Sequence, residues 1–156
     1  MKRNITFELN GEEVQVETDA QERLLDVLRL KLDCTEVKEG CSEGECGACT
    51  VLLDGRPVTS CILLAWQVEG RKVTTVKGLP ADELKRISDA LVQQAAVQCG
   101  FCTPGFILAI KALLDDNPHP SREEILMGLS GNLCRCTGYE RIVRAVADLS
   151  KQGGAS

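Results

Sequence analysis

Cys41-Ser42-Glu43-Gly44-Glu45-Cys46-Gly47-Ala48-Cys49, with eleven residues between Cys49 and a further Cys61, is the stretch from which the rest of the chain can be read. Its spacing is C-x4-C-x2-C-x11-C, and C-x4-C-x2-C with a distant fourth cysteine is the plant-type pattern for a [2Fe-2S] cluster. A short loop that wraps a cluster has to gather three sulfurs while turning its own N–H groups inward. Gly40, Gly44 and Gly47 permit the positive-φ turns that this demands. Amides aimed at sulfur also offset part of the negative charge added on reduction. The competing readings are zinc and chance. Zinc sites typically use paired C-x2-4-C knuckles, whereas this group has one such pair inside a longer glycine-spaced loop.

Outward from this loop, the 156 residues hold nine cysteines beside only five aromatic side chains. Reducing compartments keep structural cystines open, so this many thiols in a cytoplasmic chain point to metal before disulfides. The cytoplasm is expected because Met1-Lys2-Arg3-Asn4-Ile5-Thr6-Phe7-Glu8 alternates polar and apolar where a signal peptide is continuously apolar. No apolar run approaches the ~18 residues of a membrane helix, so no membrane insertion is expected. Eighteen Lys and Arg against 23 Asp and Glu leave a net charge of -5 with no basic block, which argues against nucleic acid as a partner.

A second group, Cys99-Gly100-Phe101-Cys102 and Cys134-Arg135-Cys136, reads C-x2-C-x31-C-x-C. Alone it fits zinc or a second iron–sulfur cluster. Thr103-Pro104-Gly105 supplies a capping hydroxyl and a first-turn proline directly after Cys102, so that pair is expected where a helix N-terminus favours anionic sulfur.

The hydrophobic pattern divides the chain in two. Residues 3–9 and 13–18 alternate around Asn10-Gly11, a hairpin signal, and residues 49–53 and 56–60 do so around Asp54-Gly55. Between them Leu24, Leu25, Val27, Leu28, Leu30 and Leu32 predict the buried face of a short helix, and residues 72–76 a last strand. Residues 1–76 thus read as an α+β domain, and residues 77–82, with Gly78 and Pro80, as a linker. Residues 83–156 read as four helices, marked by Leu84, Ile87 and Leu91; Phe106, Ile107, Ile110, Leu113 and Leu114; Ile125, Leu126 and Leu129; and Ile142, Val143, Val146 and Leu149. Ser121-Arg122-Glu123-Glu124 is a capping box for the third helix, and the tail 152–156 reads as frayed. Both cysteine pairs of the second group then fall in connections at one end of an up-down bundle, where they can meet.

With both groups in view, the chain resembles the iron–sulfur subunit of the molybdenum hydroxylases, the xanthine dehydrogenase family. Four segments carry the match: Glu39-Gly40-Cys41, Gly44 to Val51, Gln98 to Gly105, and Gly131 to Tyr139. It covers nearly the whole chain with all eight ligand positions filled. The resemblance implies an N-terminal β-grasp, ferredoxin-like domain holding one [2Fe-2S] cluster on Cys41, Cys46, Cys49 and Cys61. It implies a C-terminal four-helix bundle holding the other on Cys99, Cys102, Cys134 and Cys136. It further implies a large catalytic subunit with molybdopterin, a medium subunit with FAD, and a heterotrimer or its dimer. Electrons would pass from the molybdopterin to the C-terminal cluster, then to the N-terminal cluster, then toward the flavin, with Gln98 as the pterin contact.

The remaining residues read plainly. Cys34 has no partner in either group and fits a packed thiol. His119, between two prolines, fits a solvated loop; Phe101 and Phe106 fit cluster cover, the subunit interface or core. Arg135 fits either a cation beside the cluster or a solvated side chain. With a single histidine and no phosphate-cradling loop, the chain has no convincing catalytic centre of its own, so substrate chemistry is expected on a partner. The alternative role is a free-standing two-cluster ferredoxin-like carrier, and a zinc-binding adaptor is a third.

Overall fold

Asn10 and Gly11 take φ of 52° and 86°, closing the first hairpin with the backbone twist that two-residue turns require. It joins β1 (Lys2–Leu9) to β2 (Glu12–Asp19), antiparallel from Lys2 opposite Asp19 to Leu9 opposite Glu12. Asp54 and Gly55 close the second in the same way, between β3 (Thr50–Leu53) and β4 (Arg56–Thr59). β5 (Lys72–Thr74) lies parallel to β1 and antiparallel to β3, giving a mixed sheet in the order β2-β1-β5-β3-β4. The computed structural model describes residues 1–152; of the tail 152–156 expected to fray, Gln152 instead closes the last helix, and 153–156 lie outside the described residues.

Alternation puts Ile5, Phe7 and Leu9 of β1 on the buried face, where they meet Leu24, Leu25, Val27 and Leu28. These come from α1 (Leu24–Asp26) and a π-type turn that continues it over Val27–Lys31. The helix was expected to bury Leu30 and Leu32 as well, but Leu30 is 79% exposed and Leu32 half-buried. The N–H of Leu32 donates to Val27 O, a five-residue step, and this wider winding carries Leu30 off the buried stripe. The last strand is also shorter than expected: after Thr74 the chain enters a 3-10 turn, Val76–Gly78.

Beyond that turn lie α2 (Ala81–Gln93), α3 (Thr103–Asp116), α4 (Arg122–Gly128) and α5 (Glu140–Gln152). They share a second core of Ile87, Leu91, Phe106, Ile110, Ile125, Ile142, Val146 and their neighbours. The Ser121 hydroxyl accepts from the Glu124 N–H while the Glu124 carboxylate accepts from the Ser121 N–H, the expected capping box. Leu126 is 47% exposed, not core: in the seven-residue α4, Ile125 and Leu129 face the other helices and Leu126 is turned away. The two cores touch through Leu52 of β3, which is buried among the helical residues. The architecture is α+β, with the sheet and α1 in one lobe and four helices in the other.

Candidate metal centres

In the first loop, the Sγ of Cys41 accepts the N–H groups of Glu43 at 3.3 Å, Glu45 at 3.3 Å and Cys46 at 3.4 Å. The Sγ of Cys46 accepts the Cys41 N–H at 3.4 Å. This inward ring of amides, led by Glu43, holds the Cys41 thiol down to about 6, so the backbone is already arranged for a thiolate. Gly40 earns its place differently than expected. It has no positive φ, but a Cβ there would stand 2.7 Å from Cys46 Sγ, in the space the sulfur needs. Cys49 and Cys61 are both buried and their thiols meet, and burial pushes Cys61 up to about 11.

The second set lies where the pattern of helices puts it, between α2 and α3 and between α4 and α5. Cys136 Sγ is 3.6 Å from Cys99 Sγ, and both are exposed. Cys102 and Cys134 form the inner pair, and burial pushes Cys102 up to about 12. The expected cap at Thr103 is corrected: Cys102 itself is the N-cap, Thr103 is the first helical residue, and no side chain caps the end. Pro104 does sit in the first turn, where its missing N–H costs nothing. Cys134 is held below the usual thiol range although burial opposes it, because the Thr137 hydroxyl and the amides of Thr137 and Cys136 surround its sulfur.

Eight sulfurs thus come together two by two: Cys41 with Cys46, Cys49 with Cys61, Cys99 with Cys136, Cys102 with Cys134. Among the described residues no three Cys, His, Asp or Glu side chains converge on one ion position. Two thiolates per iron across a pair of irons is the donor set of a [2Fe-2S] unit, and the amide ring around Cys41 supplies the outer hydrogen bonds such a unit takes. The residues present fit that group.

The two ligand loops also touch. The Leu133 N–H donates to Cys46 O at 2.9 Å, and the buried Asn132 amide donates to Gly47 O at 3.1 Å and Thr50 Oγ1 at 3.3 Å. Gly47 has φ of 70°, and a Cβ on it would stand 2.3 Å from Gly131 O. Its role therefore exceeds the turn of its own loop. Neither Asn132 nor Leu133 was singled out for this contact, although both lie within the Gly131 to Tyr139 segment; a buried polar residue beside glycine was the available signal.

Gln98 is exposed beside Cys99, and its amide donates to Cys136 O at 3.0 Å, tying the two cysteine connections together. Cys34 is buried with its Sγ 3.6 Å from Leu32 O, and burial pushes it up to about 11, as suits a packed thiol. His119 is exposed with Nδ1 3.0 Å from Ser150 O. Phe106 is core at 2% exposure, whereas Phe101 is 47% exposed and Arg135 faces solvent.

A chain with two thiol sets of this geometry, on a ferredoxin-type α+β frame, is a two-cluster iron–sulfur protein. Residues 7–78 match the 2Fe-2S iron-sulfur cluster binding domain family and residues 75–147 the [2Fe-2S] binding domain family. The chain is 51% identical over 146 residues to the nicotinate dehydrogenase small FeS subunit of Eubacterium barkeri, covering 93% of each chain. It is 44% identical over 152 residues to the xanthine dehydrogenase iron-sulfur-binding subunit of Escherichia coli O157:H7, covering 94% of this chain and 95% of that one. Among solved structures it is similar to a chain of quinoline 2-oxidoreductase from Pseudomonas putida 86, with a TM-score of 0.88, 40% identity and 97% and 98% of the two chains covered. The chain belongs to the iron–sulfur small subunits of the molybdenum hydroxylases, the xanthine dehydrogenase family. It carries two [2Fe-2S] clusters and serves electron transfer as a subunit of an oxidoreductase complex. No described helix is long and apolar enough to cross a membrane.

Proposed function

We propose that this chain conducts electrons from a large molybdopterin-bearing subunit toward a medium FAD-bearing subunit, within a cytoplasmic heterotrimer or its dimer. In this reading residues 1–76 form a β-grasp ferredoxin domain and residues 83–156 a four-helix-bundle domain, and the expected linker 77–82 is shortened because Ala81 and Asp82 already belong to α2. Cys41, Cys46, Cys49 and Cys61 hold one cluster; Cys99, Cys102, Cys134 and Cys136 hold the other. A [2Fe-2S] unit supplies reversible one-electron storage with no bond made or broken on substrate.

The observation that carries the reading is the contact from Leu133 to Cys46. It joins the residue before Cys134 to a ligand of the other set, giving a short hydrogen-bonded route from one set to the next. The exposed pair Cys99 and Cys136 offers the electron entry, and Gln98 beside it, whose amide holds Cys136 O and whose carbonyl oxygen has no partner among the described residues, offers that oxygen to a pterin on the partner. The half-exposed loop at Cys41 and Glu43 offers the exit toward the flavin.

Freeze-quenched electron paramagnetic resonance of the co-purified complex, with heteroaromatic and aldehyde substrates tried in turn, tests the order. The C-terminal signal is expected to rise before the N-terminal one. Simultaneous or reversed appearance would overturn it.

A further inference from the structure

The loop bearing Cys134 and Cys136 runs on into Thr137-Gly138-Tyr139, where Thr137 and Tyr139 both reach back to Cys134. Thr137 is half-buried, and its hydroxyl donates to Cys134 Sγ at 3.0 Å, with no other partner among the described residues. Tyr139 holds φ of 69°, and its hydroxyl accepts the Cys134 N–H at 3.0 Å, fixing the ligand's backbone from the other side. Cys134 is the one buried residue of its set, and it directly follows Leu133, whose N–H donates to Cys46 O.

The two sets differ in how their sulfurs are met. Around Cys41 and Cys46, apart from the two thiols themselves, the donors among the described residues are backbone N–H groups. Among the described residues Thr137 is the only side-chain hydroxyl that donates to any of the eight sulfurs. A donor on a thiolate stabilises the more negative redox state, and does so more strongly away from water.

We propose that Thr137 is a positioning residue that holds up the reduction potential of the C-terminal cluster, on the side facing the N-terminal one. The proposal rests on assigning Cys99, Cys102, Cys134 and Cys136 to that cluster. The step it governs is a single electron accepted from the reduced partner subunit and passed on, with no proton or bond transferred. Thr137 remains neutral throughout, and its hydrogen bond strengthens as the sulfur gains charge.

The test is a dithionite redox titration of the co-purified complex, followed by electron paramagnetic resonance, on the wild type, Thr137→Val and Thr137→Ser. At a fixed potential near the wild-type midpoint, the ratio of reduced to oxidised C-terminal cluster should fall about fivefold in Thr137→Val, the factor one ordinary hydrogen bond carries. The N-terminal midpoint should stay in place, and Thr137→Ser should restore the wild-type ratio. Should Thr137→Val not load its cluster, Thr137→Ser against Thr137→Ala makes the same comparison. An unchanged midpoint in Thr137→Val, or equal midpoints with and without the hydroxyl, overturns the proposal. So does loss of the cluster in Thr137→Ser. Iron and sulfide counted in the same samples separate the two failures: a wild type without the C-terminal cluster removes the cluster assignment itself, and the proposal with it.

Discussion

Leu133 and Cys46 are joined by a 2.9 Å backbone hydrogen bond, although 87 positions apart in the chain, and this bond fastens one cysteine loop to the other. Gly47 and Gly105 are the glycines that let the loops approach so closely. A Cβ on Gly105 would stand 2.4 Å from Gly47 O, and one on Gly47 would stand 2.3 Å from Gly131 O.

Gly47→Val should therefore disturb both clusters. The substitution adds a left-handed backbone strain of about 1–3 kcal/mol to a clash with the other loop. Thermal unfolding should shift down, and both electron paramagnetic resonance signals should change shape. A change confined to the N-terminal signal would mean that the loops pack independently.

Asn132 is buried, with its amide on Gly47 O and Thr50 Oγ1. Asn132→Ala should cost about 1–3 kcal/mol in denaturant unfolding, the usual effect of leaving a buried acceptor short of a donor. Asn132→Asp should cost more, since it turns a carboxylate toward a carbonyl oxygen. Equal unfolding midpoints for the two variants would contradict this.

Much of this arrangement is legible in the sequence, and the rest is not for physical reasons. Asn10-Gly11 and Asp54-Gly55 announce hairpins because a two-residue turn needs two positive-φ residues, and Ser121 with Glu124 announces a helix start because the capping bonds are local. The cysteines announce metal because C-x4-C-x2-C, C-x2-C and C-x-C are local motifs, although the fold pairs Cys99 with Cys136 and Cys102 with Cys134 across the chain. Leu30 misleads, since the π-type turn that exposes it is decided by packing and not by period. Thr103 misleads because Cys102 already occupies the capping position. The contacts of Asn132 and Leu133 with the other loop join residues that only the folded chain brings together, whereas Thr137 lies three positions from Cys134 and its hydroxyl reaches the sulfur through the local turn.

The turn that follows β5 is held by Glu36, whose carboxylate accepts from Thr75 Oγ1 at 2.6 Å and pairs with Lys77 Nζ at 3.1 Å. Burial raises its pKa, but Thr75 and Lys77 outweigh that, and the group sits below the usual carboxylate range. A depressed folded-state pKa stabilises above the ordinary range and stops doing so as pH falls through the folded value. Glu36→Gln should thus be less stable than the wild type at neutral pH, by less than about 1 kcal/mol, with the gap closing on acidification. Unfolding midpoints measured from neutral to acid pH check this; a gap that widens in acid contradicts it.

Thiol counting addresses the ninth cysteine. If the eight paired sulfurs are bound to iron as proposed, then with Cys34 buried and its thiol pushed up to about 11 the native holoprotein should react with no thiol reagent at neutral pH. After denaturation in acid to release iron, all nine should react. A rapidly reacting native thiol would place Cys34 at the surface or leave a ligand site unfilled.

In the proposed route Gln98 marks the entry and Cys41 the exit. Gln98→Ala should leave both clusters assembled yet slow substrate-driven reduction of the C-terminal cluster. Cys41→Ser should spare that reduction and block passage to the flavin. Failure of both variants at the same step would remove the proposed order.

The central claim is that two complete thiolate sets hold two [2Fe-2S] clusters in one chain. The most direct measurement is quantified electron paramagnetic resonance of the anaerobically purified, dithionite-reduced protein, with iron and acid-labile sulfide counted in the same sample. The account predicts two distinguishable signals of about one spin each, with about four irons and four sulfides per chain. A single signal at half that iron content, or zinc in place of iron, would contradict it.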